Sequence, residues 1–253
     1  MPPVCTLAVY VGCFHDHPLI VAANRDEAFA RPSLPPAALR DDVPRAFGGR
    51  DVSAGGTWLG INEKGLVAGV LNRQVRLPRD LTCRSRGQLC LDLLGCHDAA
   101  EAAARVAREP AGRYNPFNLL LADVTAAFVA SQAAGDAPRV ERLERGLHLL
   151  TNLDVNDPRC PRIGASHAGF AAAGDEFAAD GDLDALVRRL AARLADHTTA
   201  LDPRGPGALC VHGDGYGTRS STIIVRDAPG RTRWYHADGP PCRTPLAPLA
   251  LPF

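Results

Sequence analysis

Two apolar runs decide the fold: Cys5-Thr6-Leu7-Ala8-Val9-Tyr10-Val11 and Leu19-Ile20-Val21-Ala22-Ala23. The segment Phe14-His15-Asp16-His17-Pro18 separates them, a pattern that predicts two paired strands. If the strands are antiparallel, the end of the second lies beside the start of the first, and Asn24-Arg25-Asp26 lies next to the Cys5 thiol. A guanidinium beside a thiol lowers the thiol pKa and favours the nucleophilic thiolate. From the hairpin alone, a buried structural cysteine is the commoner interpretation.

The composition is that of an ordinary globular chain. Its 253 residues are 46% hydrophobic, enough for a full core, and we expect one domain over residues 1–253. The 28 basic and 28 acidic residues cancel, and no run of five like charges occurs, which argues against a nucleic-acid partner or an anionic membrane. The apolar runs have only strand length and no signal-peptide pattern is present, so we expect a cytoplasmic protein without a transmembrane segment.

The eight cysteines and eight histidines show no recognisable metal-binding spacing. No C-x-x-C pair occurs, which argues against structural zinc and thioredoxin-like redox chemistry. The cluster His15-Asp16-His17 carries side chains that can bind a metal, but it precedes a proline, and a solvated turn is the commoner interpretation. We therefore expect no metal and no resident cofactor, and we interpret most cysteines as small buried hydrophobic residues.

The rest of the chain alternates hairpins with helices. Strands are predicted near 57–61, 66–71, 117–123, 126–131, 140–143, 147–150, 208–211, 222–226 and 232–236, and helices near 85–109, 163–177 and 183–197. Lys64-Gly65 is predicted as the turn between the first two of these strands. Asp98, with Glu101 three residues later, is expected to cap a helix over residues 99–108. Segments 140–143 and 147–150 are expected to form one hairpin, and residues 33–47 a surface loop. The glycine-rich segment 213–221 lacks the order of a nucleotide-binding loop. The proline-rich tail, 239–253, is expected to be extended or mobile.

This order of elements predicts an α+β fold with two stacked antiparallel sheets flanked by helices. Three motif blocks also carry a resemblance to a known family. They are Ala23-Asn24-Arg25-Asp26-Glu27 with Arg31-Pro32, then Gly55-Gly56-Thr57-Trp58-Leu59-Gly60-Ile61, then Gly215-Tyr216-Gly217-Thr218-Arg219. In this order they resemble the NRDE family, which includes the transport and Golgi organization protein of eukaryotes. Eukaryotic members are associated with heme and lipid handling, so the resemblance implies heme trafficking or lipid homeostasis as one role.

A more distant resemblance implies a mechanism. Cys5-Thr6, Asn62-Glu63-Lys64-Gly65-Leu66 with Leu71-Asn72, and Leu150-Thr151-Asn152 are similar to the choloylglycine hydrolase and penicillin acylase family. Those proteins are N-terminal-nucleophile (Ntn) hydrolases with a four-layer αββα sandwich. The resemblance implies that Cys5 is the nucleophile, Arg25 the guanidinium beside it, Asn72 and Asn152 the asparagines around the reacting centre, and Arg219 the late arginine.

Asp26 departs from the hydrolase pattern. The acid of those enzymes lies three residues after the arginine, where this chain has Ala28. We expect Asp26 to form a supporting ion pair with Arg219. Further substrate contacts are predicted for three residues of the NRDE motifs, Asn24, Trp58 and Tyr216.

The implied mechanism needs a free amine on Cys5. An α-amine with a pKa of about 7.7–8.0 can take the thiol proton near neutral pH. An Asn72 side-chain N–H would donate to the oxyanion, a contact worth roughly 10²–10³ in rate in other enzymes, and Asn152 would orient the amine or the substrate. Removal of Met1–Val4, either autocatalytic or by initiation at Val4, is therefore expected, and we favour the second route.

Two functions of different classes stay open. One is cleavage or transfer of an amide or acyl group of a small molecule through Cys5. The other is a non-enzymatic carrier of heme, acyl-CoA or lipid, with the Cys5 thiolate as a ligand to heme iron.

Overall fold

A computed structural model describes residues 5–74, 78–197 and 207–253. The predicted removal of Met1–Val4 concerns residues outside that range. The strands are β1 (Thr6–Val11), β2 (Leu19–Ala28), β3 (Ser33–Arg40), β4 (Ala46–Asp51), β5 (Leu59–Asn62), β6 (Val67–Asn72), β7 (Phe117–Ala122), β8 (Ala127–Gln132), β9 (Arg139–Arg142), β10 (Gly146–Leu150), β11 (Tyr216–Arg226), β12 (Thr232–Ala237) and β13 (Ala247–Leu249). The helices are α1 (Arg86–Leu93), α2 (Ala99–Val106), α3 (Pro161–Asp180) and α4 (Leu183–Leu194).

The described residues divide into two units, each built on one antiparallel sheet. The first unit runs up to Ala30 and continues with Arg145–Thr151 and Val155–Ala250. Its six strands follow the order β10-β1-β2-β11-β12-β13. Helix α3 contacts β10, and α4 contacts both β2 and β11. The short strand β13 lies in the proline-rich tail and pairs with β12.

The predicted first hairpin is confirmed, and it lies inside this sheet. Its pairs run from Thr6 opposite Asn24 to Val11 opposite Leu19. Strand β2 has β1 on one side and β11 on the other, so both of its edges are paired. Its apolar half is buried, as expected for β-branched and aliphatic residues on a central strand.

The second unit comprises Arg31–Glu144, Asn152–Asp154 and Leu251–Phe253. Its seven strands run in sequence order from β3 to β9. Helix α1 contacts β6, and α2 contacts β7 and β8, burying an apolar cluster between helices and sheet. The predicted cap of α2 is confirmed, because the Asp98 carboxylate accepts from the Glu101 N–H and the Glu101 carboxylate accepts from the His97 N–H.

The predicted surface loop at 33–47 is wrong, because most of it forms β3 and the start of β4. Strand β3 is the edge of the sheet, and its pairing with β4 is interrupted between Leu34 and Ala37. Pro35 and Pro36 occupy the interruption. Proline has no N–H to donate and is tolerated on an edge strand. Because proline is otherwise rare in strands, Pro35 and Pro36 led to the prediction of a loop.

The hairpin predicted from segments 140–143 and 147–150, with its turn at Glu144-Arg145-Gly146, is also wrong. Strand β9 pairs with β8 in the second unit, whereas β10 pairs with β1 in the first. The segment Glu144-Arg145-Gly146, interpreted as a tight turn, is where the chain leaves one sheet and enters the other. A turn signal between two apolar runs does not specify which strand each run pairs with, and the prediction failed for that reason.

The glycine-rich segment 213–221 is partly strand. Strand β11 begins at Tyr216, earlier than the predicted start at Thr222, because it pairs with β2 as far as Ala28. The strand predicted at 208–211 does not form; the neighbouring His212 makes one isolated bridge to Gly217. Among the described residues, no helix combines the length and the apolar character needed to cross a membrane.

Asn62 provides a test of how the second unit is held together. Its buried side chain donates to the carbonyls of Leu94 and Cys96, at 2.9 and 2.8 Å, and accepts from the N–H groups of Lys64 and Leu66, both at 3.0 Å. We expect Asn62→Ala to lower the free energy of unfolding by about 2–4 kcal/mol, because these backbone groups lose their partner. Urea unfolding measures this loss.

The matched control is Asn115→Ala. The Asn115 side chain bonds the backbone of Asp80 at an exposed position, so its removal is expected to cost less than about 1 kcal/mol. Equal losses in the two variants would contradict the role assigned to Asn62.

Candidate active site

The strand segment Asn24-Arg25-Asp26 presents its side chains alternately to the two faces of the first sheet, as any β-strand does. Asn24 donates to the carbonyl of Leu194 in α4, and Asp26 accepts from Arg162 in α3. These two side chains therefore face the helices. Arg25, between them, faces the opposite side of the sheet.

Asp26 lies at the centre of a buried polar network. Its Oδ2 accepts from Nη1 of Arg162 at 2.6 Å, and its Oδ1 accepts from the Thr218 hydroxyl at 2.6 Å. The same Arg162 nitrogen donates to Oγ1 of Thr6 at 3.2 Å. The side chains of Arg162 and Asp26 are 1% and 0% exposed. Burial raises the pKa of the Asp26 carboxyl, and Arg162 and Thr218 oppose that rise.

The predicted ion pair between Asp26 and Arg219 is wrong, since Arg162 is the ionic partner of Asp26. Arg219 occupies a β-bulge, where the pairing of β11 with β2 shifts between Thr218 and Ser220. A bulge redirects the side chain of the inserted residue. Here the Arg219 guanidinium donates to the carbonyl of Phe29 at 2.7 Å.

Cys5 lies immediately before β1, as predicted, beside the end of β2. Its partly exposed side chain directs Sγ to the carbonyl oxygen of Asp26, 3.6 Å away. The expected lowering of the thiol pKa is wrong. Burial, reinforced by the Asp26 carboxylate, raises the pKa of Cys5 to about 12, and the opposing effect of Arg25 is smaller.

Asn24 is tied to the backbone of its own unit. Both N–H groups of its amide are used, one by the carbonyl of Leu194 at 2.8 Å and the other by that of Leu209 at 2.9 Å. Its Oδ1 accepts from the hydroxyl of Ser221. This arrangement joins α4 to the segment before β11. Contact of Asn24 with a substrate stays a prediction.

Tyr216 and Trp58, the other predicted substrate contacts, lie in different units. Tyr216 is the first residue of β11, is partly exposed, and accepts at its carbonyl from the Gly213 N–H at 2.8 Å. Trp58 is partly exposed in the second unit, and its ring packs on Gly49. A Cβ atom at Gly49 would lie 2.1 Å from Cζ2 of Trp58, so only glycine fits beneath the ring.

Asn72 and Asn152 both belong to the second unit. Asn72 ends β6, where it pairs with Phe117. The Asn152 side chain donates to Oε1 of Gln74 at 2.7 Å, and its carbonyl accepts from the Gln74 N–H at 2.7 Å. The structure thus ties Asn152 to the chain two residues beyond Asn72.

Sequence reasoning missed two groups of polar residues in the first unit. Arg162 and Thr218 complete the network around Asp26. An arginine at a helix start carries no distinctive signal, whereas Thr218 lies in the third NRDE motif block but was assigned no role. The second group comprises His197, Cys210, His212 and Cys242, whose ligand atoms all lie within 4.8 Å of one another. The short spacing Cys210-Val211-His212 was the available signal for it.

Solved structures of other proteins share this fold. The Caenorhabditis elegans ortholog of N-acylethanolamine-hydrolyzing acid amidase has a TM-score of 0.58 at 15% identity, covering 87% of this chain and 92% of that one. Penicillin V acylase from Agrobacterium tumefaciens has a TM-score of 0.53 at 12% identity, covering 94% and 93%. A mutant conjugated bile acid hydrolase from Clostridium perfringens has a TM-score of 0.56 at 10% identity, covering 98% and 97%. The chain has an Ntn-hydrolase fold, and the predicted α+β fold class is confirmed.

The sequence defines the family within that fold. The sequence model described as Transport and Golgi organisation 2 matches residues 4–238. The Transport and Golgi organization protein 2 homologs of Bos taurus and Homo sapiens are each 31% identical, over 240 and 235 residues, with 84% of this chain and 83% of the relative covered. The chain belongs to the Transport and Golgi organisation 2 family, which confirms the family predicted from the NRDE motifs.

The Arg162–Asp26 pair provides a second test. We expect Arg162→Met to lower the free energy of unfolding by about 3–5 kcal/mol, because it leaves a buried carboxylate without its ionic partner. The double variant Arg162→Met, Asp26→Leu is expected to recover much of that loss, since it removes both charges. Denaturant unfolding of both variants measures the two values.

Arg188→Met is the matched control. Arg188 pairs with Asp182 at 3.8 Å with both side chains exposed, so this change is expected to cost less than about 1 kcal/mol. A loss in Arg162→Met no larger than in Arg188→Met would contradict the proposed dependence on the buried pair.

The raised pKa of Cys5 predicts slow alkylation. In the chain that retains residues 1–4, we expect iodoacetamide at pH 8 to modify Cys5 about 10³-fold more slowly than N-acetylcysteine, because little thiolate is present. Mass spectrometry of the labelled peptide measures the rate. In urea the rate should rise to that of the reference thiol, and a fast reaction in the folded chain would contradict the raised pKa.

Proposed function

We propose that this protein is an N-terminal-cysteine hydrolase that cleaves the amide bond of a small acylated amine through Cys5. The observation that carries the proposal is the position of Cys5 immediately before β1, a strand paired on both sides, in an Ntn-hydrolase fold. Its Sγ lies 3.6 Å from the Asp26 carbonyl, next to the buried Arg162–Asp26–Thr218 network. The network fixes the position of Asp26, whose carbonyl oxygen contacts the thiol.

The state of the thiol supports a mechanism with a local base. In the chain that retains residues 1–4, the pKa of the Cys5 thiol is about 12 and the thiol is almost fully protonated at neutral pH, so attack by sulfur requires a base. A free α-amine on Cys5 is the base nearest in the chain, and its ordinary pKa of about 7.7–8.0 suits that task. The proposal therefore requires a form of the protein in which Cys5 is the first residue.

The reaction proceeds in two steps. The α-amine takes the Sγ proton while Sγ forms a bond to the amide carbonyl carbon. The C–N bond then breaks, the leaving amine takes that proton, and a thioester to Cys5 remains. A water molecule then gives a proton to the same amine while its oxygen bonds to the thioester carbonyl carbon. The C–S bond breaks, Sγ takes that proton, and the carboxylic acid leaves with the Cys5 thiol restored.

The other predicted site residues take supporting roles in this proposal. Arg25, on the face opposite the helices, contributes positive charge near the thiol. Asp26 positions the strand through Arg162. The roles of Asn72 as an oxyanion donor and of Asn152 as an orienting group rest on the motif resemblance alone.

The proposed substrate class follows from proteins that share the fold. These proteins are an N-acylethanolamine-hydrolyzing acid amidase, a penicillin V acylase and a conjugated bile acid hydrolase. Amides that join an acyl group to a small amine are therefore the first compounds to test. A cytoplasmic location stays a prediction.

The decisive experiment compares two forms of the full chain. One is released from a fusion so that it begins at Cys5, and the other retains residues 1–4. We expect turnover of an N-acyl amide panel only in the form that begins at Cys5. In that form, Cys5→Ser should lower kcat by at least about 10³-fold, because it removes the nucleophile.

Cys13→Ser is the control, because Cys13 is another partly exposed cysteine of the same unit. Loss of turnover in both variants would indicate a structural effect. Inactivity of both wild-type forms, together with a heme spectrum that depends on Cys5, would overturn the hydrolase proposal and support the carrier.

A further inference from the structure

Four side chains from three segments of the first unit converge outside the site described above. His197 follows α4, Cys210 and His212 precede β11, and Cys242 lies in the turn between β12 and β13. We call this group the Cys2His2 cluster. Its four ligand atoms lie within 4.8 Å of one another, with Cys210 buried, the histidines partly exposed and Cys242 exposed.

The distances in the Cys2His2 cluster match a tetrahedral zinc site. Bonds of about 2.3 Å to sulfur and about 2.0–2.1 Å to nitrogen place two sulfurs about 3.8 Å apart and a sulfur and a nitrogen about 3.6 Å apart. The observed separation of the two Sγ atoms is 3.7 Å. Nε2 of His212 lies 3.7 Å from Sγ of Cys210 and 3.2 Å from Sγ of Cys242.

The tautomer of His197 also suits metal binding. Its Nδ1 lies 2.9 Å from the carbonyl oxygen of Cys210, which only accepts, so Nδ1 carries the proton. Nε2 therefore keeps a lone pair. A metal-binding histidine commonly donates its other N–H to a backbone carbonyl in this way. The rings of His197 and His212 are tilted, with centroids 4.9 Å apart.

The backbone around the ligands is held by bonds that need no metal. The N–H of Cys210 donates to the Asp196 carbonyl at 3.0 Å. The Asn24 amide donates to the carbonyls of Leu194 and Leu209, which lie close in the chain to His197 and Cys210. Two prolines precede Cys242, and its turn is closed by bonds to the carbonyl of Pro240. The ligands are thus preorganised.

We propose that His197, Cys210, His212 and Cys242 bind one Zn²⁺ ion. Two thiols lose their protons on binding, and the two thiolates balance the charge of the ion while both imidazoles stay neutral. Thiolate and imidazole ligands in a tetrahedral set select zinc. Four protein ligands leave no open position, which is typical of a structural site. This proposal departs from the expectation of no metal, which was drawn from the absence of C-x-x-C.

A zinc ion there would stabilise the network around Asp26. Val211, between two ligands, donates its N–H to the Thr218 hydroxyl at 2.9 Å. That hydroxyl donates in turn to Asp26. Val211 therefore connects the Cys2His2 cluster to Thr218 through one hydrogen bond. The zinc proposal does not depend on the proposed hydrolysis.

The test uses the full chain purified under reducing conditions. We expect elemental analysis to find about one zinc ion per chain, and a strong chelator to lower the Tm, with recovery when zinc is returned. Cobalt added to the chelated protein should give a thiolate-to-cobalt charge-transfer band. Cys242→Ser should weaken zinc binding by at least about 100-fold, since loss of a ligand costs more than loss of a supporting contact.

Cys13→Ser and His167→Ala are the matched controls, because both residues lie in the same unit outside the cluster. They should retain zinc. A folded wild-type chain that takes up neither zinc nor cobalt would overturn the proposal. Full zinc retention in Cys242→Ser would overturn it as well.

Discussion

The first unit depends on the compensation of one buried charge. Asp26 on the central strand is fully buried, and an unpaired carboxylate there would be strongly destabilising. Arg162 from α3 and Thr218 from β11 supply the positive charge and a hydrogen bond. One carboxylate therefore ties together β2, β11 and a helix that begins more than a hundred residues later. Its burial requires that these three elements keep one relative position.

Along β2, the side chains that stabilise the fold and the side chain that acts on Cys5 lie on opposite faces of the sheet. Asn24 and Asp26 face the helices and bond to protein groups. Arg25 projects from the opposite face. The three consecutive motif residues therefore have different roles. Asn24 and Asp26 connect the sheet to helices α4 and α3. The charge of the third acts on Cys5.

A buried asparagine performs the same task in each unit. Asn62 donates to the carbonyls of Leu94 and Cys96, just after α1. Asn24 donates to the carbonyls of Leu194, at the end of α4, and of Leu209. The last carbonyls of a helix lack partners within it, and one side-chain amide satisfies two carbonyls. In the first unit the same amide holds the chain around the Cys2His2 cluster, so the NRDE motif and the proposed zinc site share one anchor.

The sequence by itself determined the local elements and the family. The first hairpin, the cap at Asp98, the turn at Lys64-Gly65 and the NRDE motifs are patterns within short segments, where periodicity and turn chemistry act directly. Only the tertiary structure decided that β9 and β10 belong to different sheets, that Arg162 is the partner of Asp26, and that His197 meets Cys242. Those outcomes depend on which distant segments become neighbours. Which segments become neighbours is decided by burial and charge compensation over the whole chain, so a short stretch of sequence cannot specify it.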